Sequence, residues 1–170
     1  IYDGYGQTET VLLVGNYPCL PIKPGSMGKP VPGYRVAIVD DAGRELGPGQ
    51  EGQIALRVSP ERPVGLFREY WKDPEEMAKV FRGNWYYTGD RATMDEDGYL
   101  WFVGRADDVI ITAGYRIGPF EVESALIEHP AVAESAVVAS PDELRGSIVK
   151  AFVVLTPGHG PSEELTLSLQ

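Results

Sequence analysis

The stretch "GRADDVI", Gly104 to Ile110, sets an Arg and two Asp between two apolar runs, "YLWFV" and "VIIT". This feature limits most severely what the chain can fold into. Charged side chains stay out of a core unless they are paired. One continuous core therefore cannot run through Arg105, Asp107 and Asp108. The expected organisation is two bodies, residues 1–104 and 109–170, joined over residues 105–108. No Ser/Gly linker stands there, so the join is short.

Upstream of the join, residues 1–30 are rich in Gly, Pro, Thr and Tyr without a clear period. They are expected to be mostly ordered loop. "YRVAIVDDAGREL" predicts a strand over Tyr34–Val39 and a turn at Asp40–Gly43. "GQIALRV" alternates, with Ile54, Leu56 and Val58 on one face, and should pair antiparallel with the strand before it. In "DPEEMAKVF", an Asp cap, a Pro at the first helical position and two acids in the first turn predict a helix start. "WYYTGDRATMDEDGYLWFVGR" predicts two strands around the "DEDG" turn.

Downstream, "VIITAGYRIGP" predicts a hairpin turning near Ala113–Gly114. "PFEVESALIEHP" predicts a helix ended by Pro130, and "VAESAVVAS" and "VKAFVVLT" predict strands that pack on it. "SEELTLSLQ" begins as a helix capped by Ser162. The fold class expected from this order is α+β. Both ends of the chain look cut, and the first residue is Ile, so the chain reads as a fragment of a longer protein.

The formal net charge is −10. That disfavours a nucleic-acid binder, whose affinity rests on Lys and Arg neutralising phosphates. A nucleotide stays possible, because backbone amides and a metal can hold one. Cys19 is the only cysteine, so no intrachain disulfide can form. No apolar run approaches the ~18–20 residues of a membrane-spanning helix.

Three clusters could carry chemistry. In "YGQTET", Tyr5 to Thr10, a Gly beside hydroxyls lets phosphate oxygens approach backbone N–H groups, and a carboxylate can hold Mg²⁺. A turn with a Thr cap explains it equally well. In "YYTGD", Asp90 at a strand end could accept two ribose hydroxyls, or be an ordinary turn Asp. Arg105 could meet a phosphate or ribose, or form a surface ion pair of little energetic weight. "MGKP" fails as a phosphate loop, since Pro30 stands where Ser or Thr is needed. "TMDEDG" fails as a calcium loop, with Thr93 at the first ligand place. His129 reads as a helix-end residue favoured by the dipole.

Taken in order, Y-G-Q-T-E, T-G-D, G-Y-L-x-F-x-G-R-x-D-D and G-Y-R-I-G-P-x-E-V-E resemble the acyl-adenylate-forming superfamily of AMP-binding enzymes. The wording "GYRIGPFEVESALIEHPAVAESAVV" is most similar to medium-chain acyl-CoA synthetases. The resemblance implies a β-rich, distorted-barrel end of a large AMP-binding domain over 1–104. A hinge at 105–108 and the first part of a small α+β domain over 109–170 would follow. It implies a ligase that activates a carboxylic acid with ATP and Mg²⁺ to an acyl-adenylate and passes the acyl group to CoA. The partners would be small molecules and the compartment the mitochondrial matrix. By the same resemblance Tyr5 stacks on adenine, Thr8 contacts the ATP phosphates, and Glu9 holds Mg²⁺. Asp90 binds the ribose, supported by Arg105. Asp107 falls on the hinge. Gly114 lies beside the pantetheine tunnel, and Arg116 lies near the nucleotide and the domain interface. Gly6 stands where short-chain relatives have a pocket-closing Trp, so the acyl pocket should admit more than acetate. Two other readings share the motifs: a luciferase-like or peptide-synthetase-like adenylating enzyme, and a non-catalytic binding module. The family's Gly/Ser/Thr-rich phosphate loop is not in this sequence. Neither is its P-x-x-x-x-G-K lysine, because Lys150 is the only lysine after Asp108. The 170 residues alone are expected to be inactive.

Overall fold

The structure is a computed structural model that describes residues 2–170. The chain divides into two compact units, Ile1–Ala106 and Asp107–Gln170.

The first unit is built on a five-stranded antiparallel sheet. Strands β4 (Val36–Val39) and β5 (Gly52–Arg57) pair in register, Ile38 against Ile54. β5 then pairs with the ten-residue β7 (Trp85–Met94), which also carries the short β6 (Phe81–Arg82) and β8 (Leu100–Arg105). Alternation puts Ile54 and Leu56 into the main core with Leu13, Tyr86 and Leu100. Ala55 turns the other way, onto Ala37, Val39, Trp85 and Tyr87. Both faces of this sheet are thus covered. A fully buried Leu or Ile contributes about 1.5–3 kcal/mol, so these central strands anchor the unit. Helix α1 (Pro74–Val80) starts as its residues dictate: the Asp73 carboxylate accepts from Glu76 N at 2.9 Å, and Pro74 opens the first turn. In the "DEDG" turn, Asp95 Oδ1 accepts from Asp97 N and Tyr99 N, while Lys23 Nζ grips Asp95 Oδ2 at 2.5 Å.

Residues 1–30 are not mostly loop. β1 (Gly4–Gln7), β2 (Val11–Gly15) and β3 (Lys29–Pro30) form a small antiparallel sheet. Met27 N and Leu100 N exchange hydrogen bonds with Leu100 O and Gly28 O across to β8, which ties this sheet to the larger one. Composition hid these strands because β1 is half glycine, and its stability comes from Leu13 and Val14 of β2, which are fully buried. The expected α+β class holds. The expected barrel does not form: among the described residues no ladder returns from β6 or β8 to β4, and the sheet stays open.

The second unit holds a hairpin of β9 (Ile110–Thr112) and β10 (Tyr115–Ile117), helix α2 (Pro119–Ile127), a long hairpin of β11 (Val132–Asp142) and β12 (Gly146–Leu155), and α3 (Glu163–Ser168). Ile110, Leu126 and Val137 form its core, with Val122, Val149 and Val153 packed against them. The apolar strands lie on α2 as their pattern predicts. Ser162 caps α3 through Leu165 N at 3.1 Å. His129 stands just past the α2 C-cap, at the helix end as expected, and its ring also has a local partner. Its Nδ1 accepts from Ala131 N at 3.1 Å, and the ring shapes the turn after α2.

Candidate functional site

The site in the first unit grows from the β1–β2 hairpin and the β7–β8 ladder. Side chains alternate along a strand, so Tyr5 and Gln7 share one face of β1 and both are half-buried. That face meets Asp90 in the middle of β7, which is only 5% exposed. The Tyr5 hydroxyl donates to Asp90 Oδ2 at 2.6 Å, and Gln7 Nε2 donates to the same oxygen at 3.1 Å and to Thr88 O at 2.8 Å. Asp90 N donates to Thr88 Oγ1 at 3.2 Å. Burial, reinforced by the neighbouring carboxylate, pushes the Tyr5 hydroxyl well above its usual range, so it stays a proton donor. A buried carboxylate must be paired and hydrogen-bonded to be tolerated, and these donors meet that need.

Asp90 and Arg105 are direct neighbours across the β7–β8 ladder. Arg105 Nε stands 4.0 Å from Asp90 Oδ1, with the Arg side chain half exposed. The opening cluster of charge is therefore partly resolved within this unit: Arg105 faces a buried carboxylate from a solvent-accessible position.

Thr8 and Glu9 occupy the turn between β1 and β2, and Thr8 is exposed. Glu9 is half-buried. Its Oε1 accepts from the Tyr70 hydroxyl at 2.9 Å, and its backbone O accepts from Phe67 N at 2.7 Å. Burial first, then Glu9, pushes the Tyr70 hydroxyl up to about 12. Among the described residues no group of three His, Cys, Asp or Glu side chains is assembled to hold a metal. Glu9 as a single carboxylate fits Mg²⁺, which takes one or two carboxylates and completes its shell with substrate phosphates and water.

Gly6 lies against the backbone of the opposing strand. A Cβ built on it falls 1.8 Å from Val11 O and 2.8 Å from Val11 C. β2 bulges here, with Leu13 unpaired between the Tyr5–Val14 and Gly6–Leu12 pairs, and it presses its backbone onto Gly6. In this chain the close approach of β2 gives glycine a backbone reason at position 6, beside whatever the acyl pocket admits.

The remaining nominated residues lie in the second unit. Asp107 is its first residue and is exposed in a turn. Ala113 and Gly114 have φ of 48° and 86°, and Thr112 pairs with Tyr115. This is the two-residue hairpin turn whose central residues both need positive φ, which gives Gly114 a backbone reason. Arg116 is exposed on β10. The structure brings together Tyr5, Asp90 and Arg105, with Thr8 and Glu9 on the same hairpin as Tyr5.

Sequence reasoning missed Gln7, Thr88, Tyr70 and Tyr86. Gln7 was legible, two residues from Tyr5 on the same strand face. Tyr70 and Tyr86 carried no local signal, because their hydroxyls meet the site only through the fold.

The site thus gathers a buried carboxylate backed by a tyrosine and faced by an arginine, beside the Thr8–Glu9 turn. The family description "AMP-binding enzyme" matches residues 1–71, and "AMP-binding enzyme C-terminal domain" matches residues 121–169. The chain belongs to the AMP-binding enzymes. It is 64% identical over 159 residues to the mitochondrial acyl-coenzyme A synthetase ACSM3 of Mus musculus, covering 94% of this chain and 27% of that protein. It is 60% identical over 173 residues to the mitochondrial acyl-coenzyme A synthetase ACSM4 of Homo sapiens, covering 100% of this chain and 30% of that protein. Among solved structures it resembles the anthranilate CoA ligase AuaEII in complex with anthranoyl-AMP, at 41% identity and a TM-score of 0.87, over 99% of this chain and 32% of that one. The chain thus spans less than a third of the length of these relatives. Among the described residues no helix is long and apolar enough to cross a membrane.

Proposed function

We propose that the whole protein activates a carboxylic acid of medium chain length with ATP and transfers the acyl group to CoA, in the mitochondrion. The observation that carries this is Asp90: a buried carboxylate held by Tyr5 and Gln7 and faced by Arg105, on a chain that belongs to the AMP-binding enzymes. Asp90 would accept the ribose hydroxyls, with Arg105 supporting it across the ladder. Thr8, exposed in its turn, would contact the phosphates. Glu9 would hold Mg²⁺, which when bound lowers the cost of charge developing on the phosphoryl oxygens. Tyr5 would present its ring to adenine.

A fatty carboxylate lacks a good leaving group. Two steps solve this: its oxygen attacks the α-phosphorus of ATP and expels pyrophosphate, and the CoA thiol then attacks the acyl carbon and expels AMP. The first step needs cations around phosphate and the second needs a thiol path. A swivel at Asp107, carrying Gly114 and Arg116 on the second unit, would exchange one surface for the other. Hinges are typically a few loop or element-end residues that absorb a backbone change.

The test is thioester formation by the full-length protein across acids of increasing length. Activity peaking at medium chains supports the reading, and no ATP-dependent thioester with any acid refutes it. The 170-residue chain by itself should show no exchange of pyrophosphate into ATP. Its only lysine beyond Asp108, Lys150, is exposed on β12 and sits over the Phe152 ring.

A further inference from the structure

Asp90 reaches the site through a break in the sheet. The β5–β7 ladder is regular from Arg57–Trp85 to Ala55–Tyr87, and again at Gln53–Arg91 and Gly52–Ala92. Between these stretches Ile54 alone on β5 stands against three residues of β7, Thr88, Gly89 and Asp90. The extra residues bulge out of the ladder. Bulges recur beside active sites, where they re-aim a side chain. Gly89 takes a φ of 82°, which glycine adopts at no steric cost. The T-G-D run is the bulge itself.

A bulge disrupts the ladder locally, and here side chains bridge the gap. Thr88 is buried. Its hydroxyl donates to Ile54 O at 3.1 Å, across the gap, and accepts from Asp90 N at 3.2 Å, on the far side of Gly89. One proton and one lone pair thus tie the opposing strand to the residue that carries the carboxylate. Gln7, from β1, clasps both ends of the bulge: its Nε2 donates to Thr88 O at 2.8 Å and to Asp90 Oδ2 at 3.1 Å. Its Oε1 accepts from Tyr86 OH at 3.1 Å, which fixes the way the amide faces. The Gly89 carbonyl accepts from Ala106 N at 2.8 Å. Each of these contacts has a donor hydrogen of its own. Pre-organised groups of this kind cost no reorganisation when a ligand arrives.

We propose that Thr88 is a positioning residue of the nucleotide site: its hydroxyl pins the bulge, with Gln7 as the second clamp, and so aims the Asp90 carboxylate at the ribose hydroxyls. This rests on the nucleotide reading given above. Neither residue is catalytic; both act through Asp90. Aim matters because hydrogen bonds weaken steeply as their angles close. A carboxylate turned out of line loses its hold on the sugar hydroxyls, while the phosphates keep their own contacts. The loss is therefore read in the choice between a ribose and a deoxyribose.

The experiment measures kcat/KM of the full-length protein, wild type and Thr88→Val, with ATP and with 2′-deoxy-ATP. The substitution keeps the branched shape and removes the hydroxyl. The wild type should favour ATP, and the ratio should fall by about three- to tenfold in Thr88→Val. KM for the carboxylic acid should stay within about twofold. Thr88→Ser keeps the hydroxyl and should restore the ratio; failure to restore it would put the effect on shape and overturn the pin. A role in packing alone would lower the urea midpoint of Thr88→Val and leave the ratio unmoved, which also overturns the proposal. If Thr88→Val does not fold, Gln7→Met at its half-buried position should lower the same ratio, and an unchanged ratio there overturns the proposal instead. A wild type that forms thioester equally well with both nucleotides takes Asp90 off the ribose and the pin with it. A wild type that forms no thioester with any acid refutes the nucleotide reading as a whole.

Discussion

Replacing Gly6 by Ala tests whether the site stands on a strained approach of two strands. The added methyl would fall 1.8 Å from Val11 O, about half the roughly 3.5 Å at which non-bonded atoms rest. Neither atom belongs to a flexible side chain, so β1 and β2 must part by more than 1 Å. Over-packing of this kind costs about 1–3 kcal/mol. Stiffening of the unfolded chain returns about 0.4–1 kcal/mol, leaving a net loss of roughly 1–2 kcal/mol. With a urea slope of about 1–1.5 kcal/mol/M for a unit of this size, the midpoint should fall by about 1 M. Tryptophan fluorescence reads this unit alone, since Trp71, Trp85 and Trp101 all precede residue 107. Gly47→Ala, in the same unit, is the control: its Cβ position meets only Gln50 Oε1, at an ordinary 3.5 Å, and the midpoint should not move. The displaced β1 carries Tyr5 and Gln7 with it, so nucleotide affinity should fall together with stability. A Gly6→Ala variant as stable as the wild type would show that the bulged β2 backbone does not press on Gly6.

Other outcomes follow from the same geometry. Asp90→Asn keeps the shape and one acceptor oxygen but loses the charge. Hydrogen bonds to charged groups are worth about 1.5–3 kcal/mol, so KM for ATP in the full-length protein should rise roughly ten- to hundredfold; an unchanged value would remove Asp90 from the site. The raised hydroxyls of Tyr5, Tyr70 and Tyr86 keep their protons in the fold, while the unfolded chain releases them near pH 10. Their stabilisation is fully present below about pH 10 and is lost as pH rises through the folded values, which for Tyr70 is about 12. Stability should drop there by up to about 4 kcal/mol per pH unit, about 1.4 for each proton, and replacing Tyr70 and Tyr86 by Phe should flatten the slope. Leu126→Ala, in the core of the second unit, should cost about 2–3 kcal/mol and lower the protection of β11 and β12 amides from hydrogen exchange. The tryptophan-monitored transition of the first unit should stay in place; a shift there would mean that the two units unfold as one.

Much of this was legible in the residues themselves. Local rules placed α1 by Asp73 and Pro74, ended α2 before Pro130, and turned the β9–β10 hairpin at Ala113–Gly114. Such signals need only a few neighbouring residues, because capping and turn geometry are local. The ordered motifs also marked Tyr5, Glu9, Asp90 and Arg105, since chemistry demands those side-chain types at a nucleotide. The β1–β2–β3 sheet was not legible, because its burial comes from strands far along the chain. Nor was the reason for Gly6, which is the carbonyl of Val11 on the opposing strand. The links from Gln7 to Tyr86, 79 residues apart, and from Glu9 to Tyr70, 61 residues apart, exist only once the sheet is assembled. Sequence by itself determined which chemical groups are present and where the chain turns. Tertiary structure alone decided which groups meet, because a hydrogen bond near 3 Å is set by packing and leaves no trace in spacing along the chain.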